Sequence, residues 1–233
     1  MSLLRIFLVL DLVLVACGAS SLSPNDDPIP TGPEMPVLEN LGVAFAPYDP
    51  ATGRAGAFRF DPSLEKVFLE FGAVVRDPQG RSKVLPTFEY IVAPDVAVLA
   101  VADGIVTGVR FQPETDDVEI WIRRTSTSPI LVVQDHIRDP TVRVGDRVEA
   151  GQRLGRPGPW GEGFGRTEIM VVDEERAYAP FAFFLPSASK AYQKRVSRLM
   201  REWEAFKGDP TLYDEARMSR FYAGCLARSY ANE

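Results

Sequence analysis

The chain has 233 residues, 45% of them hydrophobic, which is enough for one domain with a proper core, with or without appendages. Its net charge of −6 argues against a nucleic-acid partner, which would require a basic surface. The same negative charge also argues against electrostatic adsorption of the protein to an anionic membrane.

The first residues have the layout of a secretory signal peptide. Arg5 precedes an apolar run at residues 6–15 that is too short to span a bilayer as a mature helix. The ending "LVAC" at residues 14–17 resembles a bacterial lipobox, which implies cleavage before Cys17 and a lipid on its sulfur. We therefore expect a signal peptide at residues 1–16 and a lipid-anchored protein of the bacterial envelope. Gly18, where aspartate would signal inner-membrane retention, points to the outer membrane, facing the periplasm.

Two segments with different patterns follow. Residues 17–36 are rich in Pro, Ser and Asp and predict a flexible tether. Residues 37–185 predict many short strands with regular turns, as in a sandwich or barrel. In "DDVEIWIRR", for example, Val118, Ile120 and Ile122 alternate with charged or aromatic residues, which is typical of a strand.

The C-terminal segment, residues 186–233, has helical periodicity. Five apolar residues recur there at spacings of four and three, which is one face of a helix: Tyr192, Val196, Leu199, Trp203 and Phe206. Gly208 and Pro210 end this helix. A second helix is predicted to follow, with Asp209 as its cap. Its apolar stripe is Met218, Phe221, Tyr222, Cys225 and Leu226. With Cys17 lipidated, Cys225 has no cysteine to pair with and is expected to be buried.

Three stretches resemble the LytM or lysostaphin type of peptidoglycan endopeptidase. "VLAVADGIVTGV" (98–109) is similar to the family's strand, Ala-Asp-Gly turn and strand. "DHIRDPTVRVGDRVEAGQRLGRPG" (135–158) is similar to its Tyr-Ala-His segment, followed by Val-Gly-Asp-x-Val and Ala-Gly-Gln-x-Ile-Gly. "GFGRTEIMVV" (163–172) is similar to its final Gly-Pro-His-x-His-Phe-Glu strand. The resemblance implies a mainly β fold, the duplicated-hybrid-motif antiparallel β-sandwich or barrel, here with two C-terminal α-helices.

Biotin and lipoyl carriers share the Val-Gly-Asp-x-Val motif. They need an acceptor lysine at a hairpin tip. No lysine occurs between Lys83 and Lys190, so the sequence excludes a carrier domain.

The resemblance also implies a zinc site. The family holds its metal with the His and Asp of His-x-x-x-Asp and with the second histidine of His-x-His. Counting back from Gly104 without a gap puts Leu85 and Glu89 at the first two positions; a gap of one residue puts Pro86 and Tyr90 there. Neither alignment supplies the histidine.

The catalytic positions of the family are also changed. The first histidine of His-x-His and the histidine of the Tyr-Ala-His segment are catalytic in the family. Arg166 and Glu168 stand where the His-x-His pair would be, and His136, the one histidine of the chain, stands at the Tyr-Ala-His position. Arginine carries a fixed positive charge and cannot bind zinc. We therefore expect no catalytic residue and no cofactor; if a metal binds, its candidate ligands are Glu89, His136 and Glu168.

A hypothesis for the altered site follows from charge. Arg166 and Glu168 are two apart on a strand and share a face. The guanidinium of Arg166 is predicted to occupy the vacated metal position and to bridge Glu89 and Glu168, because neighbouring carboxylates need a cation or a shared proton. The alternative is that these charges are unconnected and surface-solvated.

A ligand site is predicted in the same region. Trp160 and Phe164 lie in the glycine-rich loop 155–165, where an aromatic ring stacks on a sugar or peptide or closes down as a lid. Glu162 and Trp121 could line the region too. The candidate binding residues are Glu89, Asp135, His136, Trp160, Arg166 and Glu168.

Three functions remain open. The first is a non-catalytic envelope lipoprotein that binds peptidoglycan or regulates or scaffolds a cell-wall hydrolase. The second is an active peptidoglycan metalloendopeptidase with a variant Glu/His site. The third is a structural subunit of an envelope assembly that docks through its C-terminal helices, for which an exposed apolar helix face would be expected.

Overall fold

The computed structural model describes residues 31–76, 80, 82–213 and 224–229, and the backbone of residues 13–16. Cys17 and most of the predicted signal peptide and tether lie outside the described residues. Within the described ranges, no helix is both long enough and apolar enough to cross a membrane.

The fold is mainly β and antiparallel, which confirms the predicted class. Twelve strands form one large sheet. They are β1 (Val13–Ala16), β4 (Phe68–Leu69), β7 (Phe88–Val92), β8 (Val98–Leu99), β9 (Gly104–Gln112), β10 (Asp117–Arg123), β11 (Leu131–Arg138), β12 (Arg147–Val148), β13 (Arg153–Trp160), β14 (Phe164–Val172), β15 (Arg176–Tyr178) and β16 (Cys225–Ser229). Two small hairpins stand apart: β2 (Arg54–Ala55) with β3 (Phe58–Arg59), and β5 (Val74–Arg76) with β6 (Ser82–Val84).

Strand β14 is central to the sheet. It pairs with β7, β11, β13 and β15, so its residues meet neighbours from four parts of the chain. Thr167, Ile169 and Val171 are buried towards the core, and the alternating Arg166 and Glu168 are directed to the opposite face. The sequence-distant β7 and β11 are thereby placed on either side of these two charged residues.

The Ala-Asp-Gly turn immediately precedes β9, as the sequence predicts. Gly104 begins that strand, and a Cβ atom on it would lie 2.4 Å from the carbonyl oxygen of Arg123 on β10. Only glycine allows the two backbones to approach this closely, which gives the motif its physical reason.

Helix α1 (Pro186–Lys207) follows a short 3-10 helix (Pro180–Phe183) and packs on the β domain through the predicted stripe. Trp203 is fully buried, packs edge-on against Phe60 at 5.0 Å between ring centroids, and donates from its indole nitrogen to the carbonyl of Glu65 at 3.0 Å. The helix ends at Gly208 in the left-handed conformation, φ 68°. Because this apolar face is covered, α1 does not offer the exposed apolar stripe expected of a docking helix.

The prediction of a second C-terminal helix is wrong for its last two residues, Cys225 and Leu226. Cys225 and Leu226 belong to β16, which pairs with β15 and β1. Tertiary pairing with the free edge of β15 outweighs the short helical pattern, since two apolar residues side by side suit either element. Met218, Phe221 and Tyr222 lie outside the described residues. Cys225 is buried, as expected.

Candidate functional site

Three carboxylates stand in a row across three adjacent strands. Glu168 on β14 is directly opposite Glu89 on β7 and, on its other side, directly opposite Asp135 on β11. All three side chains are largely buried, with 13% or less of each exposed. Like charges directly opposite one another destabilise a sheet, so this row needs cations.

Arg166 is the first of those cations. Its guanidinium lies 3.6 Å from Oε1 of Glu89 and 3.9 Å from Oε1 of Glu168, and 16% of its side chain is exposed. The ring of Trp160 covers it, with the guanidinium carbon 4.7 Å from the ring centroid. This is the bridge between two glutamates that the ion-pair hypothesis describes. The alternative of separate, solvated charges is wrong for these residues.

His136 is the second cation and occupies a bulge. The register of β10 against β11 shifts between Val118 and Ile120, so that Asp135 and His136 together oppose one residue, Glu119. His136 has φ 55°, a left-handed conformation that is uncommon outside glycine. Such backbone strain is found where a side chain is aimed at a site, and here it directs the imidazole towards the carboxylate row.

The imidazole contacts three acidic partners. Its Nδ1 lies 2.9 Å from Oδ2 of Asp117. Its Nε2 lies 3.4 Å from Oε1 of Glu168 and 3.9 Å from Oδ2 of Asp135, and it also contacts Nη2 of Arg166.

Asp117 is the site residue that the sequence analysis missed. It is buried on β10, and its second oxygen accepts a hydrogen bond from the hydroxyl of Thr115 at 2.6 Å. Gly158 on β13 makes room for it, because a Cβ atom there would lie 2.3 Å from Oδ2 of Asp117. The sequence signal was the pair of aspartates at 116–117 ahead of the alternating strand. Only the bulge of β11 brings one of them to His136.

Burial, together with the neighbouring charges, sets the pKa values of two carboxyl groups in the cluster. Burial, followed by the charge of Glu168, raises the pKa of Glu89 to about 7. Burial likewise raises the pKa of Asp135 to about 7; His136 opposes this rise, and Glu168 and Glu119 add to it. Glu89 and Asp135 therefore titrate near neutral pH instead of near pH 4.

The pKa values of His136 and Glu168 are instead shifted in the direction that favours their charged forms. Burial alone would lower the pKa of His136, but its hydrogen bonds to Asp117 and Glu168 and the charge of Asp135 raise it to about 10. Burial alone would raise the pKa of Glu168, but the hydrogen bond and charge of His136 and the charge of Arg166 hold it at about 2. The close contact of Arg166 with Nε2 favours a neutral ring instead, since a protonated Nε2 cannot accept a hydrogen bond. Three nearby carboxylates outweigh that one donor, and the pKa of His136 is raised.

The structure brings together six of the residues named from sequence: Glu89, Asp135, His136, Trp160, Arg166 and Glu168. Of the two alternatives left open by the alignment, Glu89 lies in the cluster, whereas Tyr90 is directed into the aromatic core beside Phe68. Trp121 lies on the same sheet face but further along β10, over Gly108. Glu162 is exposed on the loop.

The residues at the family's zinc positions do not fit zinc. The guanidinium of Arg166 already pairs with both glutamates, and its fixed charge repels a metal cation. Leu85 supplies no ligand atom and is buried, 4% exposed.

A different trio within the described residues could hold a metal: Asp117, Asp135 and His136, whose ligand atoms lie within 4.8 Å of one another. It shares only His136 with the trio predicted from sequence. Its ligand atoms already have partners: Nδ1 of His136 bonds Asp117, and Oδ1 of Asp135 accepts from Gln112 and from the backbone of His136, each at 2.6 Å.

Comparison with known proteins gives structural neighbours only. No family model and no curated protein sequence matches the chain. The solution structure of lysostaphin is 16% identical with a TM-score of 0.38, over 61% of this chain and 56% of that chain. The catalytic domain of the prophage-encoded M23 protein EnpA from Enterococcus faecalis is 18% identical with a TM-score of 0.37, over 49% of this chain and 88% of that one. A zinc-containing peptidase from Vibrio cholerae is 19% identical with a TM-score of 0.38, over 57% and 37%.

These neighbours are peptidase domains of the LytM/lysostaphin, or M23, type. At these identities the likeness concerns the fold alone. The chain spans little more than half the length of the lysostaphin chain that it matches.

Proposed function

We propose that this chain is a non-catalytic relative of the LytM-type peptidases that binds peptidoglycan in the bacterial cell envelope, in its own right or as the regulator or scaffold of a cell-wall hydrolase. The observation that carries the proposal is the position of Arg166, whose guanidinium lies between Glu89 and Glu168 where the resemblance places a metal. A zinc hydrolase needs a metal with an open position for water. An arginine at that position supplies neither.

Protonation also argues against catalysis by His136. A general base must have a free lone pair near neutral pH. The pKa of His136 is raised to about 10, which favours the protonated ring over a free lone pair at pH 7. The cluster therefore supports a fixed scaffold beneath a binding surface.

Support for peptidoglycan as the ligand comes from the sequence. The middle motif, residues 135–158, is long and matches the resemblance in order and spacing. Trp160 covers Arg166 and is only partly buried, which puts an aromatic side chain at the surface of the cluster, where a sugar or a peptide could contact it. The proposed location is the periplasmic side of the outer membrane, with a lipid on Cys17.

The test measures metal and binding on the full chain. Metal content is determined by mass spectrometry before and after dialysis against zinc, and binding to insoluble peptidoglycan is determined by co-sedimentation. We expect far less than one zinc per chain, binding to peptidoglycan, and no release of fragments with or without zinc.

A pair of variants locates the binding surface. Trp160→Ala is expected to weaken co-sedimentation, and Phe111→Ala, which removes an aromatic ring exposed by 59% on β9, serves as the matched control. Equal binding by both variants would show that Trp160 and the cluster beneath it are not part of the binding surface. One tightly held zinc per chain would overturn the non-catalytic assignment.

The second candidate is a metalloenzyme with a variant site. The observation that favours it is the trio of Asp117, Asp135 and His136. The same metal measurement decides, with Asp117→Asn as the variant that would abolish metal binding at this trio and would leave the positions of Glu89 and Glu168 intact.

A further inference from the structure

The exposed side of α1 carries positive charge that is not balanced along the helix. The helix contains six lysines and arginines and two glutamates, and none of its exposed residues is acidic. Glu204 is buried and accepts a hydrogen bond from the backbone of Tyr213 at 2.9 Å. Glu202 is partly buried and accepts one from the backbone of Tyr48 at 3.0 Å. Both glutamates are therefore engaged with the domain and not with the exposed cations.

Three of the cations form what we call the basic face: Lys190, Lys194 and Arg201. They follow one side of the helix at spacings of four and seven and, with Gln193 and Ser197, border a shallow groove. None of the three makes an ion pair within the part of the chain that the structure describes.

The remaining basic residues of α1 have partners. Lys207 donates to the carbonyls of Pro62 and Leu64 at 2.7 and 2.8 Å, and Arg198 pairs with Glu202 at 4.0 Å. Arg195 stacks on the ring of Tyr192. The basic face is thus the portion of α1 that is left for a partner of negative charge.

The start of the domain lies beside the first turns of α1. The backbone of Leu38 donates to the carbonyl of Phe183 at 2.9 Å, and the hydroxyl of Tyr192 on α1 donates to the carbonyl of Glu39 at 2.6 Å. The predicted tether, residues 17–36, leads to this point, and its last residues, 31–36, already lie on the domain, where Glu34 accepts hydrogen bonds from the hydroxyls of Thr125 and Ser128. If the remaining fourteen residues of the predicted tether, 17–30, behave as a flexible chain, they reach about 20 Å on average, less than the roughly 33 Å length of a 22-residue helix.

We propose that the basic face of α1 docks on the anionic phospholipid headgroups of the membrane that holds the predicted lipid anchor at Cys17. The net charge of −6 predicts repulsion when it is treated as uniform. Locally, however, the exposed side of α1 presents Lys190, Lys194 and Arg201 and no exposed acidic residue of its own. Each basic side chain near an anionic bilayer strengthens binding about fivefold.

The test compares two variants of the full chain, each with three charge reversals. One is Lys190→Glu with Lys194→Glu and Arg201→Glu. The matched control is Arg143→Glu with Arg147→Glu and Arg153→Glu, three exposed arginines of the β domain. Binding is measured on vesicles of phosphatidylcholine with and without phosphatidylglycerol, at low and high salt. The N-terminal segment is the same in all proteins, so its contribution cancels.

Native chain and control are expected to prefer the anionic vesicles, with a preference that falls at high salt. The α1 variant is expected to lose more than about tenfold in partitioning to anionic vesicles and to match the control on neutral ones. Circular dichroism verifies that both variants are folded. Equal loss in the two variants, or no preference of the native chain for anionic lipid, overturns the proposal and leaves the peptidoglycan proposal unaffected.

Discussion

The Nδ1 atom of His136 lies 2.9 Å from a carboxylate oxygen of Asp117, and the two residues are 19 positions apart on neighbouring strands. This contact orients the only imidazole of the chain. Nδ1 carries a proton and donates it to Asp117 whether the ring is neutral or charged. The other nitrogen, Nε2, is therefore the atom that titrates, between Glu168 on one side and Arg166 on the other.

Removal of Arg166 is expected to destabilise the fold strongly. Arg166→Leu leaves Glu89 and Glu168 buried without their bridge, at a cost of about 3–5 kcal/mol in the free energy of unfolding. Adding Glu89→Gln to that variant is expected to recover part of the loss, because it removes a buried carboxyl group that is destabilising next to Glu168 whenever it is ionised. Urea denaturation measures both.

Arg156→Ala is the control for that experiment. Arg156 pairs with Asp139 at the surface, with 47% of its side chain exposed. The expected change is within about 1 kcal/mol. Equal losses in Arg166→Leu and Arg156→Ala would mean that the cluster contributes no more than a surface pair.

The protonation of His136 can be read directly, because the chain contains one histidine. With a pKa raised to about 10, both ring nitrogens are expected to carry protons from pH 6 to pH 8, as measured by nitrogen-15 NMR. The folded pKa lies above the ordinary 6.5, so the stabilisation is fully present below pH 6.5 and is lost as the pH rises towards 10. A titration midpoint at or below 6.5 would contradict this expectation. It would mean that the ring is neutral at pH 7 and that Nε2 accepts a hydrogen bond from Arg166.

Glu89 is expected to make stability fall as the pH rises from about 4.5 to about 7. Its folded pKa of about 7 lies above the ordinary 4.5, so the folded state retains a proton that the unfolded state has lost. Glu89→Gln mimics the protonated carboxyl and is expected to flatten that dependence by up to about 1.4 kcal/mol per pH unit. Denaturant melts across this range provide the measurement, with Glu162→Gln on the exposed loop as control. An unchanged slope in Glu89→Gln would place the proton elsewhere in the cluster.

Gly158→Ala is expected to disrupt the contact between Asp117 and His136. The new Cβ would lie 2.3 Å from Oδ2 of Asp117 and 3.2 Å from Cβ of His136. Gly161→Ala is the control, since nothing lies within 4 Å of its Cβ position and its positive φ alone costs about 1–2 kcal/mol. The readouts are thermal unfolding and the imidazole signals of His136. Signals unchanged in Gly158→Ala would show that the side chain of Asp117 moves aside freely.

Much of the β architecture follows from local sequence. The alternation in β10 and β14, the Ala-Asp-Gly turn and the apolar stripe of α1 each depend on residues close together in the chain, and their interpretation is confirmed. The position of His136 within the motif at residues 135–158 likewise depends only on residues close together in the chain. The end of the second predicted helix is wrong because Cys225 and Leu226 are committed by a partner strand, β15, and not by their own spacing.

By itself, the sequence determined the donor atoms at the positions where the resemblance implies zinc ligands, since Arg166, Glu168 and Leu85 stand there and none is a histidine. Only the tertiary structure shows which interactions these residues make with one another. The strand register sets Glu89, Glu168 and Asp135 side by side, and a one-residue bulge turns His136 towards Asp117. The physical reason is that ion pairing and pKa depend on distances between strands and on burial, and neither quantity is a property of a single stretch of chain.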